Sequence, residues 1–302
     1  MTMTRLLVAA ALVLGVCEGG AAAQTFPADG AYKPLRCGRH IMRDGRADEA
    51  PNLGERDLVG EDDFAAGLRA SDADFLYLRL RVDDDAFPGG TIAGYSWGVA
   101  FDLDDDHQTY EVLGILDGVS NQVLLYKNTA TTTRNDATDP ADTPPVAMYD
   151  VATHAASSEA PTAQNAPDYY VTFALPWADL KPLGLDHKTH VRVYAASSTA
   201  TNALNGDFAC HSGGGAAHFS DMDADETVAD PDVDSDGDGA SDSDEVEQGS
   251  DPDDPNSRPG ASGPDVLAGG GGCAVGGPQG APGALLVLGA FALLVRRRRR
   301  RS

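Results

Sequence analysis

The chain has 302 residues, 47 acidic against 22 basic, and a net charge of −25. Arg5 and the arginines of residues 296–301 lie at the two ends, so the body between them is more acidic still. Such a body repels nucleic acid and anionic lipid headgroups, which excludes a partner of either kind held by charge and suits cation binding or solubility at a surface.

Residues 1–23 read as a secretory leader. Arg5 supplies the positive start, residues 6–16 form an apolar run too short to span a bilayer, and Ala21, Ala22 and Ala23 give a small-residue cleavage pattern before Gln24. Cys17 offers a lipidation alternative, but Val16 stands where that signal places a small residue. Cys273 belongs to the tail. Cys37 and Cys210 sit near the two ends of the body, and export into an oxidising compartment favours a disulfide between them over two free thiols.

Residues 24–220 are able to build a core, and they read as strands. Residues 74–82 alternate apolar with polar over their second half, and residues 95–103 place Trp97, Val99, Phe101 and Leu103 on one face. Residues 110–116 and 122–126 follow, separated by the hairpin signal Asp117-Gly118. Residues 169–175 and 190–196 complete the set, with a short helical turn over residues 176–180. Residues 127–167, rich in Thr, Ala, Asp and Pro, predict a long surface insertion with strand character near residues 146–151. The fold class is therefore all-β, an antiparallel β-sandwich.

Beyond Gly213 the composition changes. An Asp-rich module over residues 221–257 is predicted to form a calcium-stiffened stalk, followed by a flexible Gly/Pro/Ser linker over residues 258–272. Counted from Asp234, the module matches the twelve-residue D-x-D-x-D-G-x5-E calcium loop. Asp234, Asp236 and Asp238 take positions 1, 3 and 5, and Gly239 makes the sharp turn. Ala240 offers a backbone carbonyl, Asp242 a direct or water-borne contact, and Glu245 the two-oxygen closure. A hard cation requires this many oxygens because they replace its hydration shell, so Ca2+ is the expected ion; an acidic disordered linker is the alternative. No long helix precedes Asp234, and residues 234–254 resemble bacterial thrombospondin type 3-like calcium repeats. That resemblance adds Asp251 and Asp253 as weaker ligands.

The tail occupies residues 273–302. Glycines 269–272 precede Cys273, residues 281–295 form an apolar transmembrane segment, and the arginine block ends it. As a helix the apolar run covers only roughly 22 Å, short for a bilayer span, while the arginines favour the cytoplasmic side. This Gly-Cys, hydrophobic, poly-Arg arrangement resembles the MYXO-CTERM sorting signal of myxobacteria and relatives. The resemblance implies cleavage near Cys273 by an intramembrane sorting protease, lipidation of Cys273, and a place on the outer cell surface. An ordinary single-span anchor is the alternative.

Three stretches of the body, residues 75–82, 97–110 and 170–185, resemble the family-nine carbohydrate-binding-module-like sandwich. Aromatic residues of that family stack on sugar faces, which makes Trp97, Tyr95 and Trp177 the candidate ligand platform, with Tyr169 as a weaker member. The position of Trp97 on the apolar face of its strand favours the core instead. Asp102, Asp104 and Asp106 alternate at a strand end, but no closing Glu stands at a suitable spacing, so a solvated turn is expected. His187 and His190 lack a third ligand for zinc. No Gly-x-Ser-x-Gly, phosphate loop or Gly-x-Gly-x-x-Gly occurs. The reading is a non-enzymatic, exported surface-binding or adhesion protein with calcium as its cofactor. The membrane and a sorting protease are partners of its tail, and a surface glycan is the candidate ligand. A glycan-processing hydrolase and a purely structural envelope component are the alternatives.

Overall fold

The computed structural model describes residues 24–259 apart from 39, 49–52, 165 and 212–216. The leader with Cys17, the linker beyond residue 259, Cys273, and the apolar and arginine segments of the tail lie outside the described residues. Among the described residues, no helix is long and apolar enough to cross a membrane.

The described strands are β1 (Lys33–Pro34), β2 (Arg36–Cys37), β3 (His40–Ile41), β4 (Gly67–Ser71), β5 (Phe75–Val82), β6 (Ser96–Asp102), β7 (Val112–Asp117), β8 (Gln122–Lys127), β9 (Ala147–Asp150), β10 (Ala155–Ala160), β11 (Asp168–Pro176), β12 (His190–Ser198) and β13 (Glu226–Val228). Three short helices join them: α1 (Val151–His154), α2 (Trp177–Leu180) and α3 (Asp242–Gln248). The first sheet has the order β1-β4-β5-β11-β10 and the second β13-β12-β6-β7-β8-β9, while β2 and β3 pair with each other. Every pairing is antiparallel. The all-β sandwich expected from the alternating pattern is the fold.

Alternation sends every second side chain of β5 and β11 to one face. Leu76, Leu78, Leu80 and Val82 there join Val171, Phe173 and Leu175, and pack on Trp97, Val99, Phe101, Val112 and Leu116 of the second sheet. The sheets approach closely at Gly114, where a Cβ would fall 2.7 Å from Leu175 Cδ1. The outer face of the second sheet is covered too. Leu113, Ile115, Leu124, Tyr126 and Tyr194 on its strands form a second core with Ala137, Ala141, Leu204, Phe208 and Phe219 from the long excursions. This corrects the surface insertion expected over residues 127–167. Its first part roofs the second sheet, and its second part supplies edge strands β9 and β10 to the two sheets.

The Cys37–Cys210 disulfide is present, with Cα atoms 5.7 Å apart and a sequence separation of 173. It ties the β2–β3 hairpin to the segment after β12. The Asp-rich module does not stand apart as a stalk. The described residues all fall within one compact unit, β13 extends the second sheet by pairing with β12, and α3 packs on β13. The sandwich thus continues past the boundary expected at residue 220, because Glu226–Val228 carries the Thr and Val that a short edge strand needs.

The aromatic platform is overturned in part by burial. Trp97 is 0 % exposed in the inter-sheet core, and its indole donates to the Glu55 carbonyl at 2.9 Å. Trp177 is buried at the start of α2, donates to the Asp72 carbonyl at 3.0 Å, and lies 4.2 Å from the His187 ring. Tyr95 is half-buried against the same core, with Arg56 over its ring. Trp97→Ala is therefore expected to destabilise the fold by about 3–5 kcal/mol, the range for truncating a buried aromatic. Urea denaturation checks this, and an unchanged midpoint would contradict the packing described.

Candidate metal centre

Between β13 and α3 the chain makes a tight carboxylate loop. Its bends fall at Gly237 and Gly239, with φ of 75° and 96°, the left-handed region where a Cβ is disfavoured. Asp234 uses both carboxylate oxygens to hold the loop, and Asp236 and Asp238 use one each. Asp234 accepts from the Gly237 amide at 2.7 Å and the Gly239 amide at 3.0 Å. Asp236 Oδ1 accepts from the Asp238 amide at 3.0 Å, and Asp238 Oδ1 from the Ala240 amide at 2.7 Å. Carboxylate oxygens of these three residues lie within 4.8 Å of one another.

The remaining oxygens are the informative ones. Asp236 Oδ2, Asp238 Oδ2 and both oxygens of Glu245 are buried and have no hydrogen-bond partner. Glu245 is 0 % exposed although it carries a carboxylate. Arg258 Nε stands 2.9 Å from Asp238 Oδ2 as an ion pair, without hydrogen-bond alignment. Burial, reinforced by the charges of Asp236 and Asp238, pushes the Glu245 carboxyl above its ordinary value. Burial likewise raises Asp236, with Asp238 and Asp234 adding to it. At Asp234 burial acts in the same direction but is outweighed by the Gly239 and Gly237 amides, which hold the group below its ordinary value. Orphaned buried anions facing one another are unfavourable unless a cation joins them, and a hard divalent ion is the species such a donor set can hold.

Asp242 does something other than expected. Its Oδ1 accepts from the Ser235 amide at 2.6 Å and its Oδ2 from the Ser235 hydroxyl at 2.5 Å, so it clasps the neck of the loop. Its place as first residue of α3, just after the Ser241 N-cap, turns it toward Ser235. The Ala240 amide serves Asp238. Asp251 accepts from the Asp253 amide at 3.1 Å in a turn of its own.

The loop is anchored to the sandwich through α3 and β13. Arg36 Nε donates to Glu247 at 2.5 Å. Arg69 donates to Ser243 at 2.5 Å and to Thr227, and lies 3.9 Å from Glu247. Burial lowers the Arg69 guanidinium to about 10, against the pull of Glu247 and Asp230. Ser71 donates to Asp230, which also pairs with His187 at 2.7 Å. His190 faces Glu226 instead, so the two histidines do not share a partner.

Sequence separation hid a further acidic group, in which Asp44 and Asp48 meet Asp207 within 4.8 Å. It lies near a cavity of about 480 Å³ lined by Asp44, Arg43, Glu61, His211 and the disulfide, with no Phe, Tyr or Trp among the described lining residues. The cluster brings together residues more than a hundred positions apart, and no local motif announces it. Comparison with known proteins adds nothing to the geometry: no family model, no curated protein and no solved structure matches the chain.

The raised Glu245 carboxyl sets a sign for pH. A carboxyl raised by folding favours the folded state below its unfolded value, near pH 4, and this advantage is lost as pH climbs through the folded value. In chelator, the melting temperature of the protein with Glu245→Gln is expected to exceed that of wild type at pH 7, with the difference shrinking toward pH 4. Melting curves across that range check it; a wild type equal to or above the variant at pH 7 contradicts the repulsion.

Proposed function

We propose that this chain is an exported, non-enzymatic surface-binding or adhesion protein of the cell envelope. In this reading residues 234–245 hold a calcium ion that locks the C-terminal segment onto the β-sandwich. The observation that carries the reading is the set of buried carboxylate oxygens on Asp236 and Glu245 without hydrogen-bond partners, beside Asp238, whose Oδ2 meets only the exposed Arg258. Asp234 completes the group from the solvent side, and the Ala240 carbonyl is the backbone ligand that the loop spacing assigns. An ion there neutralises the mutual repulsion and rigidifies the approach to α3, whose Ser243 and Glu247 meet Arg69 and Arg36.

The leader pattern of residues 1–23 supports export, and the Cys37–Cys210 disulfide suits an oxidising compartment. The tail pattern around Cys273 supports envelope attachment by way of a sorting protease, and the chain between Glu247 and that tail is short. Calcium thus fixes the base from which the protein projects. Its partner is a component of the surface met through side chains other than Trp97 and Trp177, both of which serve the core.

Calcium is expected to raise the melting temperature of the full-length protein, by a free energy of about 2.7 kcal/mol when free calcium is a hundred times its dissociation constant. Chelation is expected to open residues 229–250 to proteolysis. Asp236→Asn together with Glu245→Gln abolishes the calcium-dependent protection of this segment. Protease cleavage there that is indifferent to millimolar calcium in the wild type would sink the proposal.

A further inference from the structure

The turn between β6 and β7 gathers another set of carboxylates, unrelated to the loop before α3. Oxygens of Asp102, Asp104 and Asp106 lie within 4.8 Å of one another. Asp102 ends β6 with its side chain 0 % exposed. Its Oδ2 accepts from the His107 amide at 3.1 Å, but its Oδ1 is buried with no hydrogen-bond partner. The hydroxyl of Tyr194, on neighbouring strand β12, is a second buried oxygen with no partner. Asp102 is the strongest charge acting on that hydroxyl.

The spacing rule of a helix-flanked loop finds no closing glutamate here, but the hairpin brings Glu111 back beside the turn. Asp105 and His107 take φ of 56° and 55°, and the chain turns back into β7. Glu111 then returns to the opening of the turn. Its Oε2 accepts from the Leu103 amide, between Asp102 and Asp104, at 2.7 Å. Thr109 Oγ1 stands 3.1 Å from Glu111 Oε1 and 3.3 Å from Asp106 Oδ1, so Glu111 and Asp106 flank one hydroxyl. Arg134 pairs with Asp106 at 2.6 Å and Arg192 with Asp105 at 2.6 Å. Among the described residues no Lys or Arg pairs with Asp102, Asp104 or Glu111.

We propose that the β6–β7 turn is a second divalent-cation site of the hard, calcium class, with Asp102, Asp104 and Asp106 as its carboxylate ligands and Glu111 at its rim. Three acidic side chains converge there with Glu111 beside them, one of the three is fully buried with an orphaned oxygen, and oxygen ligands at this density replace the hydration shell of such an ion. Bound there, the ion ties the start of β7 to the end of β6 over Tyr194. The site stands independently of the calcium reading of residues 234–245.

Calorimetric titration with calcium tests it in the full chain carrying Asp236→Asn and Glu245→Gln, which disables the first loop. One binding event is expected to remain. Adding Asp104→Asn, a change to an exposed side chain, weakens it on the order of tenfold, since affinity follows ligand charge. Adding Asp102→Asn removes it. Asp104→Asn should melt like its parent in chelator, which separates loss of a ligand from loss of fold. No calcium binding in the loop-disabled chain, or a titration indifferent to Asp104→Asn, overturns the site. If instead residues 234–245 bind nothing, wild type still shows one event with the same dependence on Asp104, so the two readings fail separately.

Discussion

A guanidinium with 2 % of its surface exposed must find partners, and Arg69 organises the C-terminal part of this protein around that need. Register places Arg69 opposite Leu78, so its side chain points between the sheets from β4, next to the edge. Its partners Thr227, Ser243 and Glu247 all belong to the acidic segment after the body. The segment therefore closes the edge of the sandwich and supplies the partners of Nη2 of a buried charge. A helix of seven residues has little stability of its own, so α3 depends on these contacts. The position of α3 in turn aims Glu245 back at Asp236 and Asp238. The carboxylate loop and the buried arginine are thus two ends of one arrangement, in which the anions at one end are held close because the cation at the other holds α3.

Strands with large apolar residues at period two were legible in the sequence. β5, β6, β7, β8, β11 and β12 fall where alternation places them, and β9 falls within the strand character noted near residue 146. β10 was not legible, because Ala155–Ala160 is built of small and polar residues whose only strand cue is the partner β11. β13 was hidden by composition, since its three residues lie within a run dominated by aspartate. The carboxylate clusters divide the same way. The approach of Asp234, Asp236 and Asp238 to one another follows from their spacing along a short loop. The clasp of Asp242 on Ser235 was not legible, because spacing does not show which neighbours a carboxylate engages. Glu111 could be found only by pairing β6 with β7, and Asp207 only by the tertiary fold.

The fate of the aromatic residues has a related cause. An antiparallel sheet commonly leaves one face to solvent, and a bare face is where an aromatic platform would lie. In this protein every residue of β6 and β7 is buried, because the excursions after β8 and β12 roof the outer face of the second sheet. The outer face of the first sheet is occupied differently. Arg79 lies between the rings of Tyr32 and Tyr170, with its guanidinium 3.6 Å and 4.6 Å from their centroids. Aromatic surface that sequence pattern alone would offer to a ligand is consumed by the protein itself, in cores on one sheet and in a cation–π stack on the other.

The two kinds of cross-link considered above share a dependence on compartment. A disulfide closing a separation of 173 residues restricts the unfolded chain strongly, but persists only where thiols are oxidised. A carboxylate loop of this type in an exported module needs calcium at concentrations found outside the cytosol. In a chain with a net charge of −25, self-repulsion works against compaction until something offsets it. On the proposed reading both offsets arrive only after export. The hairpin β2–β3 is then fastened to the segment after β12, and the acidic segment to the edge of the sandwich. Arg36 sits between these fastenings, next to Cys37 in β2 and paired with Glu247 of α3, so the disulfide at Cys37 and the ion pair to α3 restrain the same short strand from two sides.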